Sequence, residues 1–168
     1  MKLKIFLVTL VASVVCAGVW AEDSKPWFDL ENCAFCKNFK MGTDEYIVDH
    51  MKGNYHTLPN GFLAIMTIED DFKDEYAKSA EGMQKVVEDM QKTGTQPQMC
   101  QHCATYGELM MGGAVAQEFN SDVAIAYMMT SDNPEMVKKL HAFAERNNAE
   151  MAKWNADRAA AKAKKAEK

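Results

Sequence analysis

Four cysteines stand in two Cys-x-x-Cys pairs, Cys33-Ala34-Phe35-Cys36 and Cys100-Gln101-His102-Cys103. Thiols at this spacing support three kinds of chemistry. As thiolates they bind a soft metal, when oxidised they bridge, and when activated they exchange disulfides. Two cysteines three apart on a helix share a face, with Cβ atoms about 5–6 Å apart. Near a helix N-terminus the backbone dipole favours the thiolate that both metal binding and exchange require.

If two such helices face one another, four sulfurs converge as a tetrahedral four-cysteine site needs. The leading expectation is therefore that Cys33, Cys36, Cys100 and Cys103 bind Zn2+ or a similar soft metal. Cu(I) is the alternative, because soft sulfur ligands select it. His102, inside the second motif, and Met99, directly before it, are the candidate auxiliary ligands, with Met110 and Met111 next along the chain.

Two other readings stand beside this one. Disulfides are the ordinary state of paired cysteines in an exported protein, and would leave the chain as a binding module with no cofactor. Bridges within each pair would close tiny loops and add little stability. A thiol–disulfide oxidoreductase needs its motif after a strand in a parallel sheet, and only Trp27-Phe28 offers an extended stretch before Cys33. A c-type haem needs His directly after the second Cys, where this chain has Lys37 and Ala104. A Met-x-Cys-x-x-Cys copper loop fails by one position, because Met99 adjoins Cys100.

Little else in the sequence carries chemistry. His50, His56 and His141 read as surface or packing residues. The acidic run Glu69-Asp70-Asp71 fits a helix start, where carboxylates complement the dipole, and lacks calcium-loop spacing. There is no G-x-S-x-G, no phosphate loop and no H-E-x-x-H, so no enzyme activity is expected. The 13 methionines read chiefly as flexible core fillers.

The elements that must position the cysteines repeat. The second Cys pair follows the first at an offset of 67 residues, and Tyr127-Met128-Met129-Thr130 echoes Ile65-Met66-Thr67-Ile68 at an offset of 62. The pattern predicts an α+β fold from an internally duplicated helix-strand-strand-helix unit, its antiparallel sheet packed by helices. Each Cys-x-x-Cys would sit in the N-terminal part of its repeat's first helix. Repeat 1 spans 22–94 and repeat 2 spans 95–156.

In repeat 1, Asp29 is placed to cap a helix from Leu30 to about Met51, stopped at Gly53. A strand over 55–58 and a return strand over 62–68 flank Asn60-Gly61, a type I′ hairpin signal. The return strand is apolar in both phases, as a strand covered on both faces would be. Asp70 or Asp71 then caps a helix ended by Gly94. In repeat 2, Pro97 opens the Cys-bearing helix, which ends near Gly112-Gly113. Ala116–Phe119 pairs with Val123–Met129. Asp132 or Asn133 caps a last helix with Pro134 at its start and a stripe through Met136, Leu140, Phe143 and Met151, and Trp154 as a possible extension.

The ends read differently. Lys2 and Lys4, the apolar run Ile5–Val15 and the Val19-Trp20-Ala21 cleavage pattern predict a signal peptide over 1–21, and so a periplasmic or extracellular location. Lipidation at Cys16 is the minor alternative. That run falls short of the roughly 20 residues a membrane span needs, so no stable span is expected in the mature chain. Residues 157–168 form a basic Ala/Lys tail expected to fray in solvent. The chain has 24 acidic against 19 basic residues, a net charge of −5. An acidic body argues against nucleic acid, which requires a basic footprint. The implied partner is a metal ion.

Overall fold

The computed structural model describes residues 25–121 and 124–166. The signal-peptide and Cys16 readings therefore lie outside the described residues. So does Val123, expected to begin the last strand.

The architecture is α+β. Strands β1 (Met51–Leu58), β2 (Gly61–Ile68), β3 (Val115–Asn120) and β4 (Ile125–Thr130) form one antiparallel sheet in the order β1-β2-β4-β3. Two sequential hairpins thus join along β2 and β4, with Phe62 opposite Met129 and Ala64 opposite Tyr127. Helices α1 (Lys73–Thr93), α2 (Gln101–Met111) and α3 (Pro134–Ala166) complete the fold. Among the described residues, no helix is long and apolar enough to cross a membrane.

One face of the sheet supplies the core. Phe62, Ala64 and Met129 pack with Leu109 of α2 and with Met136, Leu140, Phe143 and Ala144 of α3. Met136, Leu140 and Phe143 of the stripe expected on α3 pack there, whereas Met151 is only half-buried. The start of α3 is as expected: Asn133 Oδ1 accepts the Glu135 N–H at 2.9 Å, with Pro134 in the first helical position, where its missing N–H costs nothing. α1 shares the same side of the sheet but stands away from it. A groove of 940 Å3 separates Tyr76, Ala80, Met83 and Val87 from Met66 and Ile125.

Several local expectations need correction. Residues 30–51 do not form one helix. They make a chain of turns, with 3-10 segments only at Cys36–Phe39 and Ile47–His50, so the first Cys pair is not in an α-helix. The Asn38 side chain donates to the carbonyls of Ala34 and Phe35, both at 2.9 Å, offering the backbone a partner other than a helical one. Gly42 then opens a loop that closes by the bridge between Lys40 and Tyr46. β1 consequently starts at Met51, and Gly53 lies inside it.

The first hairpin turn is also displaced by one residue. Leu58 pairs with Gly61, so Pro59-Asn60 form the loop and Gly61 is already in the strand. Glycine is required there because a Cβ would lie 1.9 Å from the Met129 carbonyl oxygen. Gly82, inside α1, has a similar cause: its Cβ would meet Asn38 Oδ1 at 2.3 Å. That close approach seats α1 on the loop carrying Cys36.

α2 begins at Gln101, four residues later than Pro97 implied. α3 runs on to Ala166, through the stretch expected to fray, and Arg158 within it is engaged as described below. The two halves also differ before their hairpins, where 3-10 turns stand in one and an α-helix in the other.

Candidate metal centre

Each motif is folded so that its sulfurs point to a common centre. In the first, Asp29 Oδ1 accepts the N–H groups of Glu31 at 3.1 Å and Asn32 at 2.8 Å, forming the turn that leads into Cys33. In the second, Cys100 is the N-cap of α2 and Cys103 lies in its first turn. The motifs share one backbone hydrogen bond. Lys37 N–H donates to the Cys33 carbonyl at 3.0 Å, and Ala104 N–H to the Cys100 carbonyl at 3.1 Å. One helical turn is thus common to both, although only the second continues as a helix.

The two loops are tied directly to each other. Ala34 N–H donates to the Gln98 carbonyl at 2.9 Å, His102 N–H to the Trp27 carbonyl at 3.0 Å, and Gln101 N–H to the Pro26 carbonyl at 3.2 Å. These three bonds fix the spacing between the Cys pairs without help from any ligand.

The four cysteine sulfurs lie within 4.8 Å of one another. Cys36 Sγ is 3.5 Å from both Cys100 Sγ and Cys103 Sγ. Four bonds of about 2.3 Å to one tetrahedral ion would place sulfurs about 3.8 Å apart. The cluster is therefore close to the size of such a shell. Its contacts are far longer than a disulfide's S–S bond of about 2.05 Å, and all four thiols are free. Cys33, Cys36 and Cys100 are buried, and Cys103 is partly so.

Packed this closely, the thiols share protons. Hydrogen bonds from Cys100, Cys103 and Cys36, in that order, push the Cys33 thiol far down, with help from the Cys36 backbone N–H. Cys100 is lowered to about 7, first by Cys103 and with help from the Cys103 backbone N–H. Cys36 and Cys103 are pushed up, each chiefly through its hydrogen bond with Cys100. In each motif the first thiol is thus shifted down and the second up. A bound cation would remove this asymmetry by displacing the protons.

The surroundings are apolar and aromatic. Leu30 is buried with the sulfurs, and Phe35, Phe39, Tyr46, Val48 and Trp154 wall them in. His102 faces an aromatic box, with its ring centroid 5.8 Å from that of Trp27, 5.0 Å from Phe28 and 5.1 Å from Phe143. Burial lowers its pKa to about 4, against a smaller opposing effect of Cys33. Its Nδ1 lies 3.9 Å from Cys103 Sγ, so it stands beside the cluster while the converging set is the four cysteines. Met99 immediately precedes the N-cap and is half-buried.

Three supporting features escaped the sequence reading. Trp27 Nε1 donates to Asn147 Oδ1 at 3.3 Å, joining the first Cys loop to α3. Asp49, whose side chain is 5% exposed, receives the Trp154 indole N–H at 3.1 Å and pairs with Arg158. The Arg158 guanidinium lies 5.6 Å from the Tyr46 ring centroid and 5.8 Å from that of Trp154. Arg158 sits four residues after Trp154, so extending the α3 stripe by one turn was the signal that could have found it.

No protein-family model, no curated protein and no solved structure matches this chain. The site defines it by chemistry: an α+β protein with two Cys-x-x-Cys motifs gathered into one four-cysteine cluster, compatible with a metal ion.

Proposed function

We propose that this chain is an exported protein that binds one soft metal ion, Zn2+ foremost, through Cys33, Cys36, Cys100 and Cys103, as a staple between its two halves. The carrying observation is the convergence of the four sulfurs within 4.8 Å, from motifs 64 to 67 residues apart. Four protein thiolates fill a tetrahedral shell and leave no open position, the arrangement of a structural site. A tetrahedral four-sulfur donor set favours Zn2+ or iron, whereas the Cu(I) reading drew on nearby thioethers. Burial of three of the sulfurs favours a resident ion. It also weighs against thiol–disulfide exchange, which needs an accessible sulfur. Export rests on the apolar run of residues 5–15 and its flanking lysines.

A second reading draws on the 3.5 Å approach of Cys36 to both Cys100 and Cys103. It is a metal-free module stapled by disulfides between the motifs.

Protein purified without chelator distinguishes them by elemental analysis and native mass. The metal reading expects one equivalent of metal and four thiols that alkylate only after denaturation with chelator. Cys36→Ser is expected to lose stoichiometric metal. No stoichiometric metal, with a mass about 4 Da below that of the reduced chain, overturns it in favour of disulfides.

A further inference from the structure

From the outer face of the sheet, we infer that this chain pairs with a second copy of itself, face to face about a two-fold axis. The register defines that face. Residues whose side chains alternate away from Phe62, Ala64 and Met129 point outward. They include Leu63 opposite Met128, Ile65 opposite Ala126, Phe119 opposite the same Ala126, and Val115 opposite Thr130. Ile65 is 41% exposed, Val115 57% and Phe119 55%. The core residues of α2 and α3 lie on the other side, as does the groove-lining stripe of α1. Among the described residues the outer face carries no helix.

Sequence and structure disagree at this face. β2 is apolar in both phases, the pattern of a strand covered on both sides. In the inner phase Phe62 and Ala64 are buried, whereas in the outward phase Leu63 is half-buried and Ile65 is 41% exposed. A partner seated on this face would bury the other phase.

The composition of the face selects a second copy. The net charge of this chain is −5, yet the outward positions of β2, β3 and β4 hold no ionisable residue. Lys52 and His56, both outward on β1, form one corner. Two copies can therefore meet without opposing carboxylates. A single lysine is too sparse a basic rim for an anionic membrane or a nucleic acid. Flat antiparallel sheets pack on one another about 10 Å apart, and two-fold dimers are the commonest oligomers.

The size fits a reversible dimer. Four strands about 4.8 Å apart and six to eight residues long at about 3.3 Å each give a footprint on the order of 400–500 Å2 per copy. Doubled, this lies at the low end of specific interfaces, where exchange with monomer is expected.

Sedimentation of the metal-loaded protein across about 1–200 μM tests this. The expected result is a concentration-dependent shift from monomer to dimer, weakened at least about 10-fold by Ile65→Glu and by Phe119→Glu. Circular dichroism and metal content should be unchanged in both variants. Independently of any variant, the methyl resonances of Ile65 and Met128 in the wild-type protein should shift on dilution while that of Met129 stays fixed. The inference is overturned by a monomer throughout the range, by a dimer that both substitutions leave intact, or by methyl shifts that do not depend on concentration.

Discussion

The indole N–H of Trp27 donates to the side-chain oxygen of Asn147 across 3.3 Å, and Asn147 Nδ2 donates in turn to the Phe143 carbonyl at 2.9 Å. Asn147 is completely buried, one turn after the core residue Phe143. Trp27 also carries the carbonyl that receives the His102 N–H. A single polar side chain thus connects α3 to the backbone that spaces the two Cys pairs.

Asn147→Leu removes both hydrogen bonds and leaves the Trp27 N–H buried without a partner. The expected destabilisation is about 2–3 kcal/mol in urea unfolding. Because the tie acts through the Cys loops, metal affinity in a chelator competition should fall as well. A loss of stability with affinity unchanged would separate Asn147 from the site.

Asp49 and Arg158 lock the far end of α3 over the same cluster. Their side chains are 5% and 29% exposed, so removing the carboxylate leaves a guanidinium that solvent only partly rescues. Asp49→Ala is expected to cost about 2–3 kcal/mol. Trp154, which loses its acceptor, should change its fluorescence. Replacing both partners, Asp49→Leu with Arg158→Met, should recover part of the loss, since no unpaired charge remains. A single-variant effect below about 0.5 kcal/mol would reduce the pair to an ordinary surface contact.

High pH should unfold the protein through two half-buried tyrosines of the core. Burial, with a smaller contribution from Tyr106, pushes the Tyr55 phenol up to about 12, and burial raises Tyr127 in the same direction. The folded state therefore holds these protons when the unfolded chain, near its ordinary value of about 10, has released them. Stability is full below pH about 10 and declines as pH rises through the folded value. Tyr55 alone accounts for about 2–3 kcal/mol over that window. Absorbance at the phenolate band should show these two tyrosines titrating together with loss of circular dichroism. Reversible titration of all five tyrosines in a folded chain would contradict the burial.

The cysteine set was legible because its spacing is chemical and survives errors in secondary structure. The hairpins were legible from apolar runs and turn residues, and the α3 start from Asn133-Pro134. The segment from Leu30 to Met51 was not. Its helical appearance came from composition, whereas its path is set by the Asn38 side chain and by the short loop closed between Lys40 and Tyr46. Asn60-Gly61 carried a local turn preference, but the Met129 carbonyl, 68 positions along the chain, claims Gly61 for the sheet. Arg158 was hidden by its Ala/Lys neighbours, because its partner Asp49 is 109 residues away. The last two misses are long-range contacts overriding a local pattern, whereas the first is a local side-chain contact that apolar periodicity does not record.

The bonds between the Pro26–Ala34 loop and the Gln98–His102 loop bring together two segments far apart in the chain. Cys36 and Cys100 are 64 residues apart, with the first hairpin and α1 between them, and the four sulfurs converge only when the two loops meet. Until then each motif offers only two sulfurs, at the end of a long loop whose closure costs entropy. On the proposed metal reading, an ion would meet all four sulfurs only once these loops are paired, and would close the fold instead of nucleating it.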